Sequence, residues 1–107
     1  MERLFALGRL LDYYGAFLTE RQRDLLRQYA YEDCSLSEIA EREHISRQAV
    51  RDAISRAEGE LTQMEEKLRL IDKTDRTREI LDTLEQAETD PKARGGLAAL
   101  RRIWEEE

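Results

Sequence analysis

Large apolar residues recur along this chain at helical spacing and almost nowhere alternate as a strand would require. Leu4, Leu7, Leu11 and Tyr14 step by three and four, with Phe5, Leu10 and Phe17 widening the stripe, which predicts a first helix over about Glu2–Tyr14. Gly15 follows as a stop, because glycine takes the left-handed conformation at little cost. Thr19 with Gln22 three residues on has the spacing of a capping box. A second helix is predicted behind it, over about Glu20–Tyr31, with Leu25, Leu26 and Tyr29 inward. Ser35 with Glu38 repeats the pattern ahead of a short third helix, about Leu36–Glu43, and Ser46 stands where it would cap a fourth. In the fourth, Val50, Ile54, Ala57, Leu61, Met64, Leu68 and Ile71 step alternately by four and three. That is the seam of a coiled coil or of tight helix pairing. Helical to Asp72, this element would be roughly 39 Å long at about 1.5 Å per residue.

Beyond it the pattern weakens. Lys73–Asp75 reads as a polar break, and Thr77–Ala87 as a helix with Ile80, Leu81 and Leu84 inward. Asp90-Pro91 and Gly95-Gly96 mark turns. Leu97–Glu107 forms a last short helix through Leu97, Leu100, Ile103 and Trp104, with Trp104 as its anchor. The expected fold class is therefore all-α. The expected organisation is a helix-turn-helix domain with a long fourth helix over residues 1–72 and a helical C-terminal extension over residues 73–107.

Composition supports the helices: only Pro91 interrupts as proline, and 39% of the chain is charged. A chain of 107 residues buries roughly two-thirds of its unfolded surface, enough for one modest core. Net charge is −6, which argues against a general nucleic-acid coat, since phosphate neutralisation carries such binding. Cys34 is the sole cysteine, so no intrachain disulfide can form. The amphipathic, charged start Met1–Leu18 does not read as a signal peptide, and no apolar run reaches membrane-span length. The cytoplasm is the expected location.

Residues Ser35–Glu58 have the layout of a helix-turn-helix. Ala40 is small where the two helices approach, and Ile39, Ile45 and Val50 supply their shared core. His44 sits at the turn, a position that often holds Gly, and His is among the better-tolerated residues in the left-handed region. With Val50, Ile54 and Ala57 inward, Gln48, Arg51, Asp52, Ser55 and Arg56 turn outward and Arg47 lies at the helix start. Arginine and glutamine are side chains that read base edges. Yet the segment holds four arginines against five carboxylates. Glu38, Glu41 and Glu43 belong to the supporting helix, while Asp52 sits among the arginines, spaced to pair with Arg56 and Gln48. What remains is a small basic patch, sized for a few phosphates. Arg47, Gln48, Arg51, Ser55 and Arg56 are the candidate nucleic-acid contacts.

Several of these residues also carry a likeness. Tyr13-Tyr14-Gly15, Leu18-Thr19 and Gln22, then Ser35-Leu36 with Glu38-Ile39-Ala40-Glu41, then Ser46-Arg47-Gln48-Ala49-Val50 with Asp52 and Arg56, resemble the YlxM-like family of small bacterial helix-turn-helix proteins, mostly Gram-positive. The resemblance covers about residues 3–72 of the chain. The helix-turn-helix of that family is similar to the fourth region of RNA polymerase sigma factors, and its genes typically lie beside those of the signal recognition particle GTPase and its receptor. The resemblance implies an accessory or regulatory role in that pathway and an all-helical, dimeric protein. Where the family often has an aromatic residue after Val50, this chain has Arg51. The family supplies no catalytic residues to carry over.

Other chemistry is sparse. One His and one Cys do not make a zinc site, and Gly95-Gly96 lacks the Lys and Ser/Thr of a phosphate loop. Glu65-Glu66 and Glu105–Glu107 read as solvated helix faces. Cys34 precedes a helix N-terminus but has no base near it in sequence. The four tyrosines, at helical spacing, read as core before they read as stacking platforms. The expectation is a non-enzymatic protein without cofactor, metal or small-molecule substrate and with no membrane role. It would form a homodimer through Leu4, Leu7, Leu11, Leu61, Met64 and Leu68. Its expected partners are the RNA of the signal recognition particle, its GTPase subunit, or both. The alternative is a DNA-binding transcriptional regulator of sigma region 4 type. A purely protein-binding scaffold is a third reading, in keeping with the acidic charge.

Overall fold

Six α-helices carry the chain in a computed structural model that describes residues 2–105, and no strand occurs among the described residues. They divide into two units, residues 1–69 and 70–107.

The first unit is built from α1 (Glu2–Tyr14), a 3-10 turn over Gly15–Phe17, α2 (Glu20–Ala30), α3 (Leu36–Glu43) and α4 (Arg47–Leu68). Local chemistry fixes the boundaries. Both predicted capping boxes are closed: the Gln22 amide donates to the Thr19 hydroxyl at 3.1 Å and the Glu38 amide to the Ser35 hydroxyl at 3.1 Å, while each N3 side chain accepts from its cap's own N–H. The Ser46 hydroxyl accepts from the Ala49 amide at 3.0 Å. His44 does take the left-handed conformation, φ 59° and ψ 40°, and ends α3. Gly15 does not. A Cβ there would stand 2.9 Å from Leu11 Cδ1, so glycine serves at this turn by letting the chain fold back against α1.

The apolar stripes of α1, α2 and α3 converge on the first half of α4. Leu7, Leu11, Tyr14, Leu25, Leu26, Ile39, Val50, Ile54, Ala57 and Leu61 are all buried. The Tyr14 hydroxyl, at the foot of α1, donates to Glu65 Oε1 at 2.5 Å and satisfies its polar end.

Sequence spacing misplaced the end of α4. The helix stops at Leu68, where Arg69 turns left-handed at φ 56° and donates its N–H to the Glu65 carbonyl at 2.8 Å. It is therefore about 33 Å long at about 1.5 Å per residue. Ile71, read as the last residue of its seam, belongs to α5. No glycine or proline marks the break, so periodicity ran through it.

The second unit is a helical hairpin of α5 (Leu70–Ala87) and α6 (Pro91–Glu105). The expected break at Lys73–Asp75 is helical. So is Gly95-Gly96: nothing lies within 4 Å of a Cβ at either glycine, and φ is positive at neither. α6 starts instead at Pro91, whose fixed φ suits the first helical position, with the Asp90 carboxylate accepting from the Lys92 amide at 3.3 Å. Of the apolar residues expected inward, Leu81 is 4% exposed but Ile80 is 60% and Leu84 is 46%. Arg101 holds the hairpin, reaching Asp82 at 2.6 Å and Glu85 at 3.0 Å on α5 and Glu105 at 3.4 Å on its own helix. Those carboxylates hold its guanidinium pKa well above the ordinary value. Of the carboxylate run at the end of the chain, Glu106 and Glu107 lie outside the described residues.

Candidate nucleic-acid interface

The helix-turn-helix places α4 by its N-terminal turn. α3 packs across the first half of α4 through Ile39 and Ala40, and the Ile45 amide donates to the Ala40 carbonyl at 3.1 Å. Val50, Ile54 and Ala57 are thereby fixed inward. The opposite surface follows from 3.6 residues per turn. Arg47, Arg51 and Ser55 form one row, and Gln48, Asp52 and Arg56 form the next; all six are exposed.

Hydrogen bonding then sorts the charges. Gln48 Nε2 donates to Asp52 Oδ1 at 2.8 Å, so the one acid on this face is turned toward an amide. The Asp52–Arg56 pair that the spacing suggested does not form. Arg47, Arg51 and Arg56 have no hydrogen bond or ion pair with any described residue. The supporting helices are different. Glu43 accepts from Arg21 at 3.0 Å and from Gln28 at 3.2 Å, Arg42 donates to Gln28 at 3.1 Å and reaches Glu32 at 3.5 Å, and Glu38 is held in its capping box. The Ser35 N–H and hydroxyl keep the Glu38 carboxyl below the usual carboxylate range. Net charge over the motif thus hides a segregation. Four of its five acids are engaged, Glu38 and Glu43 on α3 and Asp52 and Glu58 on α4, while its three α4 arginines point into solvent.

The arginine row borders a groove of about 270 Å³ lined by Arg3, Tyr29, Leu36, Arg51, Ile54 and Ser55. Arg3 lies across one wall. Its guanidinium donates to the Tyr29 hydroxyl at 3.0 Å and to Glu58 at 2.7 Å, and sits 5.7 Å from the Tyr29 ring centroid. The Tyr29 bond is the largest cause of its raised pKa. Arg3, Tyr29 and Leu36 were missed as site residues. Their helices are brought together only by tertiary packing, and the nearest signal is that Tyr29, inward on α2 by spacing, is one of four tyrosines that could also stack on bases. The other tyrosines divide: Tyr14 is core, while Tyr31 is exposed and donates its hydroxyl to the Gly8 carbonyl at 3.2 Å and to Asp12.

Leu7, Leu11 and Leu61, three of the six residues expected at a dimer interface, are buried within one chain, because α1 packs on α4. Leu4 and Met64 are half-buried and Leu68 is exposed. Cys34 is half-buried, its thiol 3.9 Å from the Glu32 carbonyl. No group of His, Cys, Asp or Glu among the described residues could hold a metal ion, and no helix among them is long and apolar enough to cross a membrane.

Fold and surface together define a helix-turn-helix protein with a basic outer face on its second motif helix. Comparison with known proteins gives the family. The model described as "Putative helix-turn-helix protein, YlxM / p13 like" matches residues 1–99, and the chain belongs to that family, UPF0122. The match reaches well past the 3–72 stretch that carries the sequence likeness and takes in most of the C-terminal hairpin. A UPF0122 protein of Symbiobacterium thermophilum is 42% identical over 104 residues, covering 94% of this chain and 97% of the relative. A UPF0122 protein of Geobacillus kaustophilus is 45% identical over 84 residues, covering 78% and 76%.

Proposed function

We propose that this protein is a non-enzymatic accessory or regulatory factor of the signal recognition particle pathway. In this reading it acts in the cytoplasm and binds the particle's RNA, its GTPase subunit, or both. The observation that carries the nucleic-acid part is the trio Arg47, Arg51 and Arg56, exposed and unpaired, on the stretch 47–56 of α4, whose one acid, Asp52, is turned toward Gln48. Guanidiniums in this state are ready to meet phosphates without first breaking an ion pair. Their small number fits a limited contact better than a long duplex track. The family likeness supports the pathway, and a homodimer would present two such helices at once.

Fluorescence anisotropy with the particle's RNA, at several salt concentrations, tests the assignment. The double variant Arg47→Glu/Arg51→Glu is expected to weaken RNA binding at least tenfold and to flatten the salt slope by about one to two, since each phosphate contact contributes roughly 0.7–0.9. Unchanged affinity in the double variant refutes the site. Tight, sequence-selective binding to duplex DNA in place of the RNA would instead establish a transcriptional regulator of sigma region 4 type.

A further inference from the structure

The α5–α6 hairpin has two unlike faces. One carries the ion-pair cluster of Arg101 with Asp82, Glu85 and Glu105. The other is apolar. On it Trp104 stands beside Ile80 and Thr77 across a shallow cavity that Lys73 and Arg76 also line. Leu84 lies one turn beyond Ile80 on α5, and Leu100 lies one turn before Trp104 on the antiparallel α6. Ile80 is 60% exposed, and Leu84, Leu100 and Trp104 each a little under half. Two helices with Leu81 as their one buried large apolar residue make no core of their own, and this stripe has the i, i+4 spacing of a packed helix face. Its apolar surface is on the order of 400 Å², within the range of patches that mark interaction sites.

We infer that this face is a self-association surface: two copies of the hairpin stack apolar face to apolar face as an antiparallel four-helix bundle. The inference rests on the reading of the protein as a homodimer and locates the interface outside the helix-turn-helix. Charge favours a second copy and selects the arrangement. α5 carries five carboxylates against three cations, and α6 four cations against one carboxylate. A two-fold axis parallel to the helices sets each α5 against the α6 of the other copy, so acidic helix meets basic helix and every neighbour is antiparallel, with macrodipoles opposed. The two-fold also makes the contact isologous, which closes it at two copies. With the polar rim added, the contact approaches the roughly 800 Å² per partner of a stable interface. Arg47, Arg51 and Arg56 take no part, so dimer and nucleic-acid contact are separable.

Trp104 is the only tryptophan and reports on the face directly. In the full-length protein, light scattering and Trp emission are followed together from nanomolar to tens of micromolar concentration. The expected result is a mass that doubles while the emission shifts to the blue, at the same midpoint. Ile80→Glu and, on the other helix, Leu100→Glu should each weaken association at least tenfold with the helical circular dichroism retained, because both side chains are already open to solvent. A dimer that survives both substitutions with an unshifted Trp104 overturns the hairpin interface and leaves the homodimer reading standing. A wild-type chain that stays monomeric overturns both. RNA binding retained by a monomeric Ile80→Glu keeps the arginine face out of either failure.

Discussion

The two units of this chain are both helical and both amphipathic, but they differ in where their apolar residues go. In the first, four helices bring their stripes together, and Leu7, Leu25, Leu26, Ile39, Val50 and Leu61 are closed off from water. In the second, two helices share Leu81 and an arginine-centred ion cluster, while Ile80, Leu84, Leu100 and Trp104 stay open. Two helices can shield only the strip between them, so similar apolar content produces a core in one place and an exposed face in the other. The first unit therefore has what it needs to hold the N-terminal half of α4 rigidly. The second has the makings of an interface and little core.

The largest test of that contrast is a matched pair of truncations. Ile39→Ala removes a fully buried side chain and leaves a cavity between α3 and α4; it is expected to cost about 3 kcal/mol. Ile80→Ala, at 60% exposed, is expected to cost less than about 0.5 kcal/mol in the dilute monomer. Urea midpoints followed by circular dichroism measure both. Equal losses would mean that the hairpin has a core of its own and would remove the contrast.

Much of the first unit was legible because its signals are local. Thr19 with Gln22, Ser35 with Glu38, and Ser46 each fix a helix start through atoms within three residues, and the apolar residues of α4 as far as Leu61 point where periodicity said. What failed is what depends on distance. Heptad spacing identifies a buried seam but not whose helix buries it, so Leu7, Leu11 and Leu61 looked as suited to a second chain as to their own. The Arg3–Tyr29–Glu58 wall of the groove joins residues 26 and 55 positions apart. Gly95-Gly96 reads as a turn by propensity, yet an exposed helix tolerates glycine at roughly 1 kcal/mol each. The inward reading of Ile80 and Leu84 assumed a partner helix that the hairpin does not supply.

A smaller test concerns the capping that positions α3. Ser35→Ala removes the hydroxyl that accepts from the Glu38 amide and is expected to cost about 1 kcal/mol. The reciprocal half of the box depends on pH. Bonds from Ser35 lower the Glu38 pKa in the folded chain below the ordinary glutamate value, so this contribution is present in full above that ordinary value and is lost as pH falls through the lowered folded one. Urea midpoints at pH 7 and in the acid range should show Glu38→Gln removing part of that acid sensitivity. An identical acid profile in the variant would show that the carboxylate contributes no pH-linked stability. In the hairpin the Asp90 carboxylate, accepting from the Lys92 amide at the start of α6, stands in place of such a box.

The smallest effect lies in the turn itself. His44 is held at φ 59° between α3 and α4, a region where a side chain is strained and glycine is not. His44→Gly relieves that strain, while glycine's extra freedom in the unfolded chain takes part of the gain back. The net expectation is a stabilisation of about 0.5 kcal/mol with RNA affinity unchanged, because His44 lies outside both rows of the α4 face. The same substitution at Arg69, left-handed at φ 56°, gives the comparison at the C-terminus of α4. A gain at His44 with lost RNA binding would mean that the imidazole itself touches the ligand. The interface would then extend from the two rows of α4 back across the turn, and the basic face would be wider than Arg47, Arg51 and Arg56 alone define.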